Sequence, residues 1–342
     1  MRGWTLALLW WGLWFVLGVH SLRPPAAKPM NSDMGQFSAA RAFRHVETLA
    51  SANRTVGTRH HGRSRRYIAA EMGALGWVIR LQPALYPMGA FAGQYVQLTN
   101  LEARLLRPGP EILVSAHYDS VATGPGAGDD AAGVAAMIEV ARILSARPDP
   151  PAVRMVFTDA EELGLLGMKA YAAQDGIFDN VRAAINIEGR GARGPSLLFE
   201  TSPNNQDLID AFAQAPVPVG NSTAYEVYRN LPNDTDFSVL RDAGVPGVNF
   251  SFIGGFLHYH TAIDTPENLS VRSLQHHGEM ILSMIDGLSS GDLDEDAPNV
   301  VFFSLPGGLV GRYPSVLALP LAIVALLLTI GACIHQKRSA KD

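Results

Sequence analysis

Apolar and polar positions divide the chain into three unlike stretches. Residues 4–19 form a run of 16 uncharged, mostly apolar residues behind Arg2, with Trp4, Trp10, Trp11 and Trp14 among them. Such a run reads either as a secretory signal peptide, with the small residue Ser21 near a cut site, or as an uncleaved signal anchor, slightly short of the ~20 residues of a spanning helix. A second run, residues 313–334, carries no charge and is followed by His335, Lys337, Arg338 and Lys341. It is apolar on every face and long enough to span a bilayer. The basic tail 335–342 is expected to stay cytoplasmic. Whether residues 1–22 are cleaved or retained, the middle of the chain then faces the other side of the membrane. Residues 23–35, rich in proline, and residues 290–312, which open with an acidic stretch lacking periodicity, read as linkers.

The middle, residues 36–289, has a different rhythm. Short apolar runs at 78–81, 95–101, 112–116, 153–158, 183–187, 197–200 and 248–252 predict strands. Helical spacing at 37–50, 64–75, 131–145, 163–173, 206–215, 236–243 and 271–288 predicts helices between and around them. Strands alternating with helices specify an α/β fold, with a mixed, mostly parallel central sheet between two helical layers. Runs such as Ile112-Leu-Val and Met155-Val-Phe are apolar without alternation, as expected of strands buried on both faces. The expected architecture is therefore a three-layer α/β/α domain flanked by terminal transmembrane helices.

Composition narrows the chemistry. The net charge is −5, so no basic surplus favours nucleic acid. Only Lys28, Lys169, Lys337 and Lys341 among the 27 basic residues are lysine. This arginine- and alanine-rich usage leans bacterial, which points to an inner-membrane protein. The five Asn-x-Ser/Thr sequons at Asn53, Asn221, Asn233, Asn249 and Asn268 then read as chance. The one cysteine, Cys333, lies in the second apolar run, so neither an internal disulfide nor a thiolate metal site is expected. Any metal must be held by histidine and carboxylates.

Such residues recur where strands end. His117-x-Asp119 follows one strand, and Gly-x-Gly-Asp129-Asp130 opens the next helix. Asp159-x-Glu161-Glu162, Asn186-x-Glu188 and His258-x-His260-Thr-x-x-Asp264 follow three others. Ligand crevices in open α/β sheets lie beyond the carboxyl ends of the strands. Each piece alone has an ordinary explanation: an N-cap at Asp129-Asp130, a solvated helix start at Glu161-Glu162, a loop histidine at 258 or 260. Brought together without a cation, the carboxylates would repel one another and raise their own pKa values. Nitrogen and carboxylate donors without cysteine suit zinc, or less often manganese or cobalt. One carboxylate can bridge two metals, and a carboxylate that is not a ligand can act as general base.

These five motifs, in this order, resemble the co-catalytic zinc aminopeptidase family, which includes bacterial leucyl aminopeptidases, glutamate carboxypeptidase and glutaminyl cyclase. The resemblance covers roughly residues 38–290. With the flanking apolar segments, it looks most like the membrane-bound branch of vacuolar and endoplasmic-reticulum metallopeptidases. It implies two Zn2+ per chain, one on His117, Asp129 and Glu188 and one on Asp129, Glu162 and His260. It further implies Glu161 as general base, Asp119 as the group orienting His117, and Asp264 as a group doing the same for His260. The implied activity is that of a membrane-tethered exopeptidase, expected to be an aminopeptidase, with peptide substrates and a lipid bilayer as partners. Glutaminyl cyclase chemistry on the same fold and a catalytically silent receptor-like member are the alternatives. The tyrosine that polarises the substrate carbonyl in some members has no clear match, although Tyr228 is near the corresponding place. The matching Ser-Asp-His stretch reads Thr235-Asp236-Phe237 here.

Overall fold

The structure, a computed structural model, describes residues 2–88, 93–291 and 293–339. The end of the expected tail, residues 340–342, lies outside the described residues, as do Met1 and Asp292 of the expected N-terminal segment and linker. The chain begins with α1 (Arg2–Ser21), α2 (Ala39–Leu49) and α3 (Arg59–Ala74), followed by β1 (Val78–Pro87), β2 (Tyr95–Leu105) and β3 (Glu111–His117). It continues through α4 (Ala132–Ala146), β4 (Val153–Thr158), α5 (Leu166–Ala172), β5 (Val181–Gly189), β6 (Leu197–Thr201) and α6 (Gln206–Phe212). Then come β7 (Val219–Gly220), α7 (Ser222–Tyr228), α8 (Asp236–Asp242), β8 (Gly247–Phe252), α9 (Val271–Ser290), β9 (Val300–Leu305), β10 (Leu309–Pro314) and α10 (Ala318–Ser339).

Eight strands make one sheet in the order β1-β2-β4-β3-β5-β8-β6-β7. Its centre, β4-β3-β5-β8, is parallel, so these four strands end at the same edge. Both faces are covered, as the unbroken apolar runs require. On β3, Ile112, Val114 and Ala116 join residues of α2, α4 and α9 in the larger core. Leu113 faces the other way, onto Met168 and Tyr171 of α5 and Phe237 and Leu240 of α8. All seven expected strands are strands of this sheet, most of them longer than the apolar runs that announced them.

Residues 300–312, expected within a tether, and 313–314, expected to open the membrane run, instead form the β9–β10 hairpin. The hairpin docks on the domain. Val300 N donates to Asn205 Oδ1 at 2.8 Å and Phe302 N to Ser222 Oγ at 2.9 Å. The Phe302 ring is buried and meets Phe212 edge-on at 6.0 Å. Truncating a buried aromatic costs about 3–5 kcal/mol. Phe302→Ala is therefore expected to lower the unfolding free energy by that amount in a denaturant titration. A change within about 0.5 kcal/mol, as at a free surface, would mean that the hairpin is not part of the folded unit.

Among the described residues one helical segment, Ser315–Gln336, is long and apolar enough to cross a membrane, with mean hydropathy 2.6 and no burial against the domain. The apolar part of the N-terminal helix, Leu8–Val19, is shorter.

Candidate metal centre

The shared edge of the parallel strands gathers the polar residues. His117 is the last residue of β3, and Glu188 is the penultimate residue of β5. Asp129 sits in the tight turn that leads into α4. That turn passes so close to the end of β5 that a Cβ on Gly189 would collide with the Gly128 carbonyl, and one on Gly128 with the Gly191 carbonyl. Only glycines allow Asp129 to lie between the two strands.

Two groups of donors result: His117, Asp129 and Glu188, and Asp129, Glu162 and His260. His117 Nε2 is 3.0 Å from Asp129 Oδ1 and 3.8 Å from Glu188 Oε2. His260 Nε2 is 3.1 Å from Asp129 Oδ2 and 3.0 Å from Glu162 Oε2. Among the described residues, neither His260 Nε2 nor Asp129 Oδ2 has a hydrogen-bond partner, although both atoms are buried, and Glu162 Oε1 is likewise unpartnered. Buried polar atoms in native folds rarely lack partners, and donor atoms converging in this way fit a shared cation. The donor set, imidazole nitrogen and carboxylate oxygen, fits zinc.

The electrostatics point the same way. Burial pushes the Glu188 carboxyl up to about 8, with the neighbouring Asp129 and Asp236 charges adding to the rise. Burial likewise raises Glu162, and raises Glu161 well above the carboxylate range with help from Glu188, Asp236 and Glu162. At Asp129 burial acts upward too, but His117 and His260 prevail and hold it at about 2. Burial disfavours the His260 imidazolium, yet Asp129 and Glu162 bring it up to about 9. A bound divalent cation would resolve this mutual repulsion.

Supporting residues fix the cluster. Asp119 accepts the backbone N–H of Glu161 at 3.1 Å and of Glu162 at 3.3 Å, and its Oδ1 lies 3.5 Å from His117 Nδ1. It therefore organises the carboxylate loop as well as facing the histidine. Asp130 is buried and accepts Gly133 N at 2.9 Å, in the first turn of α4. Asp264 does not face His260. It accepts Gly128 N at 2.7 Å and Asp129 N at 3.1 Å, so it fixes the turn that carries Asp129. The spacing to His260 was a misleading guide, because the loop between them folds back toward that turn. His258 lies outside both donor groups. Asp236 opens α8 and accepts Thr158 Oγ1 at 2.5 Å. Asn249, one of the sequon residues, is fully buried in β8, where it donates to Glu200 and Thr235.

Behind the carboxylate loop, Asp159 accepts three hydrogen bonds: from His61 Nε2 at 2.7 Å, Tyr118 Oη at 2.8 Å and Thr99 N at 2.7 Å. The His61 and Tyr118 rings stack at 5.0 Å. Removing one partner of a buried carboxylate costs roughly 1–3 kcal/mol. His61→Ala is expected to destabilise the fold by that amount in urea unfolding. A neutral result would show that the loop is held without it.

A cavity of about 510 Å³ opens beside the cluster, lined by Asp129, Glu161 and Glu188 on one side. Its other walls include Phe199, Val227, Tyr228, Leu231, Ile253 and Phe256. Two features here escaped the sequence. Helix α7, capped by Asn221 Oδ1 on Ala224 N, supplies much of the apolar wall. Tyr259 lines the cavity with its ring stacked on His260 at 3.7 Å. Its only sequence signal is its place directly before His260. Burial, then the nearby carboxylates, push its phenol above the normal range, so it stays protonated. Tyr228 lines the same cavity with its hydroxyl buried and, among the described residues, without a hydrogen-bond partner.

A model of Peptidase family M28 matches residues 100–285, more than half of the chain. Endoplasmic reticulum metallopeptidase 1 of Mus musculus is 38% identical over 242 residues, covering 67% of this chain and 27% of that protein. The chain thus spans about a quarter of the length of this curated relative. Among solved structures, the aminopeptidase from Aneurinibacillus sp. strain AM-1 superposes with a TM-score of 0.65 at 16% identity, covering 78% of this chain and 98% of that one. Porphyromonas gingivalis glutaminyl cyclase superposes with a TM-score of 0.61 at 22% identity, covering 75% and 99%. At these identities the structural likeness concerns the fold.

Proposed function

The chain belongs to peptidase family M28, and from that premise we propose a membrane-tethered zinc aminopeptidase with Glu161 as its general base. One observation carries this reading: the Glu161 carboxylate lines a cavity with Asp129 and Glu188, next to two donor groups that share Asp129. His117, Asp129 and Glu188 would hold one Zn2+, and Asp129, Glu162 and His260 a second. Zinc bound there supplies Lewis-acid polarisation of the scissile carbonyl and a more acidic water.

The chain's own residues supply the rest. Glu161 accepts a proton from the attacking water and returns it to the nitrogen of the leaving amine as the C–N bond breaks. Its buried setting raises its proton affinity toward the range a general base needs. Asp119, by holding the Glu161 and Glu162 amides, sets the base and a ligand in one rigid loop. Tyr259, kept protonated, is the candidate donor to the carbonyl oxygen. The apolar walls favour an apolar substrate side chain in the cavity. The apolar segment before Lys337, Arg338 and Lys341 supports a bilayer anchor with the tail inside and the domain on the non-cytoplasmic face.

The test uses the full chain in detergent. Zinc content is measured beside hydrolysis of leucyl-anilide and of its N-acetylated form. Cleavage of the free amine alone, with two zinc ions per chain, is the expected result. Cleavage of the blocked substrate would overturn the aminopeptidase assignment, and cyclisation of N-terminal glutamine peptides without hydrolysis would replace it with the cyclase reaction.

A further inference from the structure

Arg190 follows Glu188 by two residues and lines the same cavity. Its backbone N–H is taken up by Phe252 O at 3.2 Å and Ser251 Oγ at 3.1 Å, so its position at the strand end is fixed. Its guanidinium lies over the Tyr259 ring, 5.4 Å from the centroid, and that ring in turn covers His260. Among the described residues the guanidinium has no ion-pair or hydrogen-bond partner. Arg54, another cation near the cluster, differs. It is fully buried and donates to the carbonyls of Tyr118, Pro125 and Gly126.

The neighbouring carboxylates all have other partners. Asp129, Glu162 and Glu188 belong to the donor groups and Glu161 lines the cavity beside them, while Asp119, Asp130, Asp236 and Asp264 each accept hydrogen bonds from the surrounding loops. Asp234, a further acid of the cavity wall, accepts from Ser238 Oγ at 2.8 Å. Arg190 is left as a partly buried, planar donor fork on the cavity wall, its backbone fixed at the strand end and its guanidinium without an anionic partner among the described residues. Guanidinium forks bind carboxylates in a bidentate manner, and the Arg190 guanidinium is held over the Tyr259 ring at the cavity wall.

We propose that Arg190 receives the free terminal carboxylate of a short peptide, making di- and tripeptides the preferred substrates. The inference rests on the peptidase reading of the site and names its substrate class. The terminal carboxylate is favoured over an acidic side chain, because the walls that would surround a side chain are largely apolar: Phe199, Val227, Leu231, Ile253 and Phe256. An extended residue spans at most about 3.6 Å, so one or two residues past the scissile bond bring a terminus to the rings that flank the cluster.

The experiment compares kcat/KM for Leu-Ala and Leu-Ala-Ala with their C-terminal amides, and for Glu-Ala amide, in the full-length wild type, Arg190→Gln and Arg190→Lys. Zinc content and thermal midpoint are recorded for each. The wild type is expected to prefer the acid over the amide about 10- to 100-fold, mainly through KM. That ratio is expected to fall to near one in Arg190→Gln and to an intermediate value in Arg190→Lys, which keeps the charge but loses the fork. An acid-to-amide ratio unchanged by Arg190→Gln, with metal and folding intact, overturns the proposal. A loss confined to Glu-Ala amide would move the carboxylate to the N-terminal side chain and overturn the terminal assignment. Absence of hydrolysis of every peptide by the wild type would instead sink the peptidase reading, independently of Arg190.

Discussion

Glu161→Gln is expected to lower kcat by about 10²–10⁴-fold while both zinc ions stay bound. The substitution keeps the shape of the side chain and removes its ability to take a proton. Glu161 and Glu162 are adjacent, and Asp119 holds both of their amides, yet their side chains diverge. Glu161 lines the cavity, whereas Glu162 reaches His260. The two glutamines should therefore behave differently. Glu162→Gln weakens a donor group and is expected to lose metal, and activity falls with it. Glu161→Gln loses activity alone, with KM for leucyl-anilide little changed, because an interaction made in the transition state has gone. Steady-state kinetics beside elemental analysis decides the matter. If Glu161→Gln also loses zinc, Glu161 is a ligand; if it keeps full activity, the base lies elsewhere.

Much of this site was legible in the sequence because the fold puts chain order to simple use. In the parallel centre of the sheet the carboxyl ends of the strands lie at one edge, so polar residues that follow those apolar runs converge without any knowledge of the loops. His117 and Glu188 are of this kind. Asp129, rather than Asp130, was indicated only by the family resemblance and its Gly133; the crowding at Gly128 and Gly189 shows in the structure alone. What stayed hidden depends on how loops fold back. Asp264 was expected to face His260 and instead holds the Gly128 and Asp129 amides. Tyr259 and Arg190 gain meaning only from the ring stack that joins them to His260. The β9–β10 hairpin did leave a trace, since Val300-Val-Phe-Phe is apolar and a Pro-Gly-Gly turn follows it. It was masked by the acidic stretch before it and by the membrane run after it. Helix α7 is only 7 residues long, too short for a period to show.

Removing Asp129 is expected to have a larger effect than removing any other donor, because it alone belongs to both groups. Asp129→Ala should empty both sites and lower activity by at least about 10³-fold, since the polarising ions are lost together. His117→Ala touches one group and should leave about one zinc per chain. The stability consequence follows from linkage. A ligand that binds only the folded state, present at a thousand times its Kd, stabilises by about 4 kcal/mol. Chelation should therefore lower the thermal midpoint of the wild type by several degrees and that of Asp129→Ala hardly at all. The variant's own midpoint should match the chelated wild type more closely than the loaded one. With the ions gone, removal of the Asp129 charge relieves part of the repulsion on Glu162 and Glu188, while His117 and His260 lose a carboxylate partner, so the two effects oppose one another. Differential scanning calorimetry with and without chelator, beside zinc counts, separates the cases. Retention of one tightly held ion by Asp129→Ala would show that the two groups do not share that carboxylate, and a two-metal centre built around it would fall.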